Sequence, residues 1–142
     1  MTHVDFYVLD TTDETARLRA VCRLAQDVFS AARQLHIHTQ DAPQTQRLDS
    51  LLWTFQDISF LPHAVAQTGT RTAPITLRHD YTPEAGIDVL INLAVEPPAF
   101  FSQFERVIEI VDEQPAVRKA GRTRYRFYRD RGYPLQHHPL NA

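Results

Sequence analysis

Apolar and polar positions follow two different periods at the start of the chain. Residues 3–9 are rich in β-branched and aromatic side chains, which is typical of a strand. From Glu14 to about Gln34, apolar residues recur every three or four positions, which predicts an amphipathic helix facing a core. The turn between them, Asp10 to Asp13, carries side chains that cap helix N-termini. The chain therefore opens with a strand followed by a helix.

The same periods predict the remaining elements. Two further helices are predicted, from Asp41 to about Trp53 and from about Pro115 to Arg131, where Gly132 ends the second. A short helical turn is expected at Phe100–Phe104. Further strands are predicted at 36–38, 74–77, 87–93 and 106–111. Irregular structure is predicted at 54–72, and a loosely ordered tail at 133–142.

Strands that alternate with helices predict an α/β fold. We expect a three-layer α/β/α sandwich, Rossmann-like, around a mainly parallel sheet. Residues 87–93 are nearly all apolar, as in a strand covered on both faces. A length of 142 residues suits one domain, so a single α/β domain is expected over 1–142. This fold hosts many activities and does not by itself decide the function.

Composition favours a cytoplasmic protein without a membrane span. The chain is 43% hydrophobic and 23% charged, and no apolar run approaches the ~20 residues that a membrane helix needs. Its first residues do not resemble a signal peptide. The one cysteine, Cys22, falls in the apolar stripe of the first helix, where a reduced, buried thiol is expected.

The turn after the first strand argues against a nucleotide cofactor. Rossmann-type sites need glycines there, so that backbone N–H groups can approach phosphate. Residues 9–14 contain no glycine and include acidic residues that would repel phosphate. We therefore expect a fold without a nucleotide-binding glycine loop, and no cofactor.

Metal and nucleophile chemistry also find little support in the sequence. His36 and His38 share one face of a strand, but no nearby residue completes a ligand spacing, so they are interpreted as polar residues on a half-exposed strand. The pair at 137–138 falls in the tail. No serine lies in a Gly-x-Ser-x-Gly turn. Neither a metal site nor a catalytic residue is expected.

The final helix concentrates positive charge. The net charge of the chain is −2, yet residues 118–131 hold seven cations against one anion. Helical spacing places five of its residues on one face. These are Arg118, Arg122, Tyr125, Arg126 and Arg129. The face is either a solvated basic surface or a site for single-stranded nucleic acid or for an acidic peptide with an apolar anchor.

A second candidate surface surrounds Trp53. This residue ends the second predicted helix, and Phe60 follows in a predicted loop. Aromatic residues near an exposed loop are typical of interface anchors. The alternative is that Trp53 fills the core.

The two candidate surfaces together carry a resemblance that covers nearly the whole chain in order. The sequence resembles the chi subunits of DNA polymerase III in the blocks Phe6-Tyr-Val-Leu-Asp10, Arg47-Leu-Asp49, Leu52-Trp53, Phe60-Leu-Pro-His63, Arg122-Thr-Arg-Tyr-Arg-Phe-Tyr-Arg129 and Gly132-Tyr133.

The resemblance implies a non-catalytic accessory subunit of the clamp-loader complex, with no membrane contact and only indirect contact with nucleic acid. One implied partner is single-stranded DNA-binding protein, whose acidic C-terminal tail would bind Arg118, Arg122, Tyr125 and Arg126. The other is the psi subunit, which would contact Trp53, Phe60, Pro62 and His63. Two alternatives stay open: a direct single-stranded nucleic-acid-binding module and a degenerate α/β enzyme.

Overall fold

Helices and strands alternate along the whole chain. The computed structural model describes residues 1–55, 61–67 and 73–141, and this part contains seven strands and three α-helices. The strands are β1 (His3–Leu9), β2 (Leu35–His38), β3 (His63–Val65), β4 (Ile75–Arg78), β5 (Val89–Asn92), β6 (Arg106–Val111) and β7 (Leu135–Leu140). The helices are α1 (Glu14–Ser30), α2 (Ala42–Thr54) and α3 (Pro115–Asp130), and a short 3-10 helix spans Phe101–Gln103.

All seven strands pair in one sheet, in the order β3-β4-β2-β5-β6-β1-β7. Every neighbouring pair is parallel. A parallel pair needs a crossover connection, and helices supply it after β1, β2 and β6. The expected Rossmann-like α/β fold is confirmed, and among the described residues the sheet is wholly parallel.

Two apolar clusters show that the sheet is covered on both faces. One cluster joins α1 and α2 to the sheet, with Leu18, Leu48 and Ile37 among its fully buried members. The other joins α3 and the 3-10 helix to the opposite face, where Phe6 and Tyr128 meet. The expectation of three layers is therefore confirmed.

The C-terminal segment is not the loosely ordered tail that the sequence predicts. Strand β7 runs along the outer edge of β1, with Val4 opposite Leu135 and Leu9 opposite Leu140. The backbone pairing that β1 offers at its free edge outweighs the weak strand propensity of the segment. Pro139 is tolerated because an edge strand can spare one N–H donor.

Three smaller expectations are also corrected. Helix α1 ends at Ser30 because Ala32 adopts a left-handed φ of 59°, which a helix cannot continue. Residues 54–72 were expected to be irregular, yet β3 lies within this stretch and pairs with β4. His36 is fully buried, because β2 lies inside the sheet and the 3-10 region covers it, with Phe100 6.4 Å from its ring.

A buried carboxylate fixes α3 to the sheet. Glu109 of β6 is 0% exposed, and its Oε1 accepts a hydrogen bond from Nε of Arg124 at 2.8 Å. Its Oε2 accepts from the hydroxyl of Tyr128 at 2.7 Å and from Nδ2 of Asn92 at 2.9 Å. The Arg124 side chain also donates to the carbonyl oxygen of Val95 at 3.0 Å. Arg124 and Tyr128, one helical turn apart on α3, thus donate to the same carboxylate of β6.

Tyr128 stays protonated in this network. Burial raises the pKa of the Tyr128 phenol, and the adjacent Glu109 carboxylate raises it further. The phenol is therefore a permanent donor to Glu109. Because each buried polar group finds a partner, the network specifies one position of α3.

Removing one partner of this ion pair is expected to be costly. Arg124→Met leaves the Glu109 carboxylate buried without its cation, which should lower the free energy of unfolding by about 3–5 kcal/mol. Arg126→Met is the matched control, since it makes the same change at an exposed position of α3, and its effect should stay within about 0.5 kcal/mol. Urea denaturation measures both. Equal effects of the two substitutions would contradict the structural role of Arg124.

Candidate functional site

A pocket of about 400 Å³ opens between α3 and the β7 edge of the sheet. Its lining comes from four elements, β1, β6, α3 and β7. The lining residues are Phe6, Val8, Val111, Arg118, Gly121, Arg122, Tyr125 and His137. Three of the four residues that the sequence assigns to tail binding therefore meet in one cavity.

Helix phase brings Arg118, Arg122 and Tyr125 to the pocket. They lie four and three residues apart, so they project from the same side of α3. The two arginines are exposed at the rim, whereas Tyr125 is half-buried and its ring meets the ring of Phe6 edge-on at 5.3 Å. The Glu109 network fixes the rotation of α3, and in that orientation this side of the helix faces the pocket.

A close helix–sheet contact shapes the floor of the pocket. Gly121 is buried, and a Cβ at this position would collide with the side chain of Val111. The missing side chain lets α3 approach β6 and leaves the apolar surface of Val8 and Val111 open from above. The floor is therefore apolar while the rim is cationic.

The outer wall comes from a residue that the sequence did not single out for the site. His137 lies opposite Phe6 in the β1–β7 register, so it faces the same side of the sheet as α3. Recognising it requires knowing that residues 135–140 form a strand beside β1. The spacing of the segment gives little sign of this.

Contacts on the opposite face hold β7 in place. The ring of His138 stacks on Tyr7 at 4.7 Å, and its Nε2 lies 3.2 Å from Oδ1 of Asp5. Oδ2 of Asp5 accepts a hydrogen bond from Nε of Arg106 at 2.6 Å. Burial opposes the Asp5 carboxylate, but the bonds from Arg106 and His138 outweigh it and lower its pKa. Asp5 is thus charged at neutral pH and ties β7 to β1.

The remaining cations of α3 divide between surface and interior. Arg126, the fourth residue assigned to tail binding, is exposed and does not line the pocket. Arg129 is exposed and pairs with Asp130 at 3.1 Å, while Arg131 stacks over the ring of Phe127 at 3.6 Å. Arg124 is only 3% exposed. The cationic run therefore contains both rim residues and a core residue.

The second candidate surface is partly visible. Trp53 is 54% exposed, so it does not fill the core. Its ring lies 4.7 Å from the ring of His63. His63 is buried and Pro62 half-buried. Phe60, the other residue assigned here, lies outside the described residues.

His63 packs against the Trp53 ring and is itself held in place. Its Nδ1 lies 2.6 Å from the carbonyl oxygen of Leu61, and its Nε2 lies 3.2 Å from Oδ1 of Asp49 without hydrogen-bond geometry. These contacts join the end of α2 to the start of β3. Trp53 is therefore an exposed aromatic side chain on a fixed support.

Groups that could support other chemistry are sparse in the part of the chain that the structure describes. Burial raises the pKa of the Cys22 thiol to about 12, so the thiol is protonated and a poor nucleophile. No group of three or more His, Cys, Asp or Glu side chains within the described ranges could hold a metal ion. Within the same ranges, no helix has the length and apolar character to cross a membrane.

Comparison with known proteins points to one family. A model of the family described as DNA polymerase III chi subunit, HolC, matches residues 1–136. The DNA polymerase III subunit chi of Pseudomonas aeruginosa is 44% identical over 140 residues, covering 99% of this chain and 98% of that protein. The Escherichia coli protein of the same name is 30% identical over 141 residues, covering 95% of this chain and 96% of its own length.

One solved structure shares the fold. The crystal structure of T4 UvsW superimposes with a TM-score of 0.67 over 99% of this chain, at 10% sequence identity. This chain spans 42% of that protein's length. At this identity the likeness concerns the α/β architecture alone.

Proposed function

The chain belongs to the DNA polymerase III chi subunit family, and we propose that it is a non-catalytic accessory subunit of the clamp-loader complex. In this proposal it acts in the bacterial cytoplasm and links two partners during replication. One is single-stranded DNA-binding protein, through its acidic C-terminal tail. The other is the psi subunit, which connects the chain to the clamp loader.

The pocket beside α3 is the observation that supports tail binding. A tail that ends in an apolar residue with a free carboxylate needs a cation and an apolar surface within one residue's reach. Arg118 and Arg122 supply guanidinium groups that can hold a carboxylate through two parallel hydrogen bonds. Phe6, Val8 and Val111 supply the apolar contact.

The cations are expected to differ in importance. A carboxylate that enters the pocket loses water. Truncation of the arginine that pairs with it should therefore weaken the binding free energy by about 2–5 kcal/mol. Arg126 lies outside the cavity and would attract the acidic run of the tail through a salt-screened interaction. Mutations at Arg126 should therefore change the association rate more than the lifetime of the complex.

Arg122→Ala is expected to weaken tail binding at least tenfold, or about 1.4 kcal/mol. The reason is that the substitution removes the guanidinium group that pairs with the terminal carboxylate of the tail, while the apolar floor of the pocket stays intact. Fluorescence anisotropy with a labelled acidic peptide measures the affinity. Arg131→Ala is the matched control. It removes the same charge near the end of α3, but the Arg131 side chain stacks on Phe127 and does not line the pocket.

Two further arms of this experiment separate the alternatives. A peptide whose terminal carboxylate is amidated should bind the unmodified chain about as weakly as the free-acid peptide binds Arg122→Ala. Single-stranded DNA at the same salt concentration tests whether the arginine–tyrosine face binds nucleic acid directly. Equal, small losses for Arg122→Ala and Arg131→Ala would refute the carboxylate clamp, and tighter binding of DNA than of peptide would favour a nucleic-acid module.

The exposed ring of Trp53 supports the second interface. A tryptophan that is 54% exposed and rests on a buried histidine can bury a large apolar area without reorganisation. We assign Trp53 and Phe60 as the anchors for psi, and Pro62 and His63 as further residues of the same interface. This surface and the α3 pocket lie on different elements, so both partners could bind at once.

Trp53→Ala is expected to weaken binding of psi by at least 2 kcal/mol, about 30-fold, because it removes a central aromatic anchor. Isothermal titration with purified psi measures the loss. The two interfaces control each other, since Trp53→Ala should retain tail-peptide affinity and Arg122→Ala should retain psi affinity. A Trp53→Ala variant that binds psi as the unmodified chain does would exclude this surface.

A further inference from the structure

The wall that β7 contributes to the α3 pocket carries a histidine to which the proposed function assigns no role. His137 lies opposite Phe6 in the β1–β7 register, and its side chain lines the pocket. The arginines of the lining, Arg118 and Arg122, come from α3. Because His137 is exposed, a ligand in the pocket can reach its ring without any rearrangement of the sheet. A ligand on the apolar floor thus meets guanidinium groups on one wall and an imidazole on another.

Strand geometry separates His137 from the histidine beside it. Successive side chains of a strand point to opposite faces of the sheet. His138 therefore lies on the other face, where its ring stacks on Tyr7 and its Nε2 lies 3.2 Å from Oδ1 of Asp5. His138 already has a carboxylate beside it, whereas no acidic residue is among the described residues that line the α3 pocket. A carboxylate that pairs with His137 inside the pocket would come from a ligand.

Histidine is the residue type in this lining whose charge ordinarily changes near neutral pH. A histidine side chain titrates near pH ~6.5, whereas arginine and tyrosine side chains titrate at pH ~10 or above. The charged residues that face His137 from α3 are Arg118 and Arg122, and the lining residues of β1 and β6 are apolar. Two nearby cations disfavour a third positive charge in the empty pocket, and a bound carboxylate offsets this repulsion. Protonation of His137 and binding of a carboxylate therefore favour each other.

We propose that His137 is a further contact for the terminal carboxylate of a bound tail, and that its protonation makes tail binding tighter at mildly acidic than at mildly alkaline pH. This inference rests on the proposed function of the α3 pocket, since it concerns the same ligand. The protonated imidazole donates to the carboxylate from the β7 wall while Arg122 holds it from α3. As the pH rises, the imidazole loses its charge and this part of the attraction is lost, but the arginines keep theirs.

Fluorescence anisotropy with the free-acid tail peptide, at about pH 6 and about pH 8 and at constant ionic strength, tests the proposal. A rhodamine label suits the experiment because its emission does not change over this range. The acidic groups of the peptide ordinarily titrate near pH ~4, so they stay charged at both values. Since an exposed ion pair changes an equilibrium constant only a few-fold, we expect the unmodified chain to bind about threefold to fivefold more tightly at the lower pH.

One variant and one modified ligand locate the effect. His137→Gln keeps a side chain that can donate a hydrogen bond but cannot become charged, so its affinities at the two pH values should be equal. The amidated peptide lacks the terminal carboxylate, so the unmodified chain should bind it equally at both pH values. His138→Gln is the matched control, because it makes the same change at the neighbouring position on the opposite face, and it should keep the ratio of the two affinities.

The outcomes separate this inference from the proposed function. Equal affinities of the unmodified chain at the two pH values would overturn the inference, as would a ratio that survives in His137→Gln or with the amidated peptide. Loss of the ratio in His138→Gln would also overturn it, since the titrating group would then lie beside Asp5. The proposed function is tested instead by the difference in affinity between Arg122→Ala and Arg131→Ala, which does not depend on the pH ratio.

Discussion

The buried carboxylate of Glu109 is the constraint on which the rest of the molecule depends. It lies at 0% exposure in the middle of the sheet, and it holds α3 through both Arg124 and Tyr128. An unpaired charge at this depth would cost several kcal/mol, so α3 cannot shift or rotate without losing its partners. The orientation of the cationic helix is therefore set by contacts inside the protein, before any partner binds.

That orientation sorts a run of similar residues into different roles. Arg122 and Arg124 are two positions apart, which places them on opposite sides of a helix with 3.6 residues per turn. Arg122 reaches the rim of the α3 pocket, whereas Arg124 turns inward to Glu109. One helix thus supplies both the cationic rim of the pocket and the buried arginine that holds the helix to the sheet.

The sequence predicted those features that depend on local pattern. The strand at residues 3–9, the strand at 106–111 and α3 follow from residue type and period, and the three-layer α/β fold follows from their alternation. Features that depend on tertiary pairing were missed. Strand β7 forms because β1 offers a free edge for pairing. The sequence pattern therefore did not predict that His137 lines the pocket. In the same way, the sequence gives no sign that Arg124 and Tyr128 are buried, because their burial depends on the distant Glu109 carboxylate of β6.

Native-state hydrogen exchange tests the central claim most directly, because it reports how each segment opens in the unliganded protein. If the Glu109 network anchors α3, the interior amides of α3 around Arg124 and Tyr128 should exchange only through global unfolding. Their protection should then equal the free energy of unfolding measured by urea denaturation. Faster exchange of α3 through local opening, while the central strands β5 and β6 stay protected, would contradict the claim that the Glu109 network anchors α3.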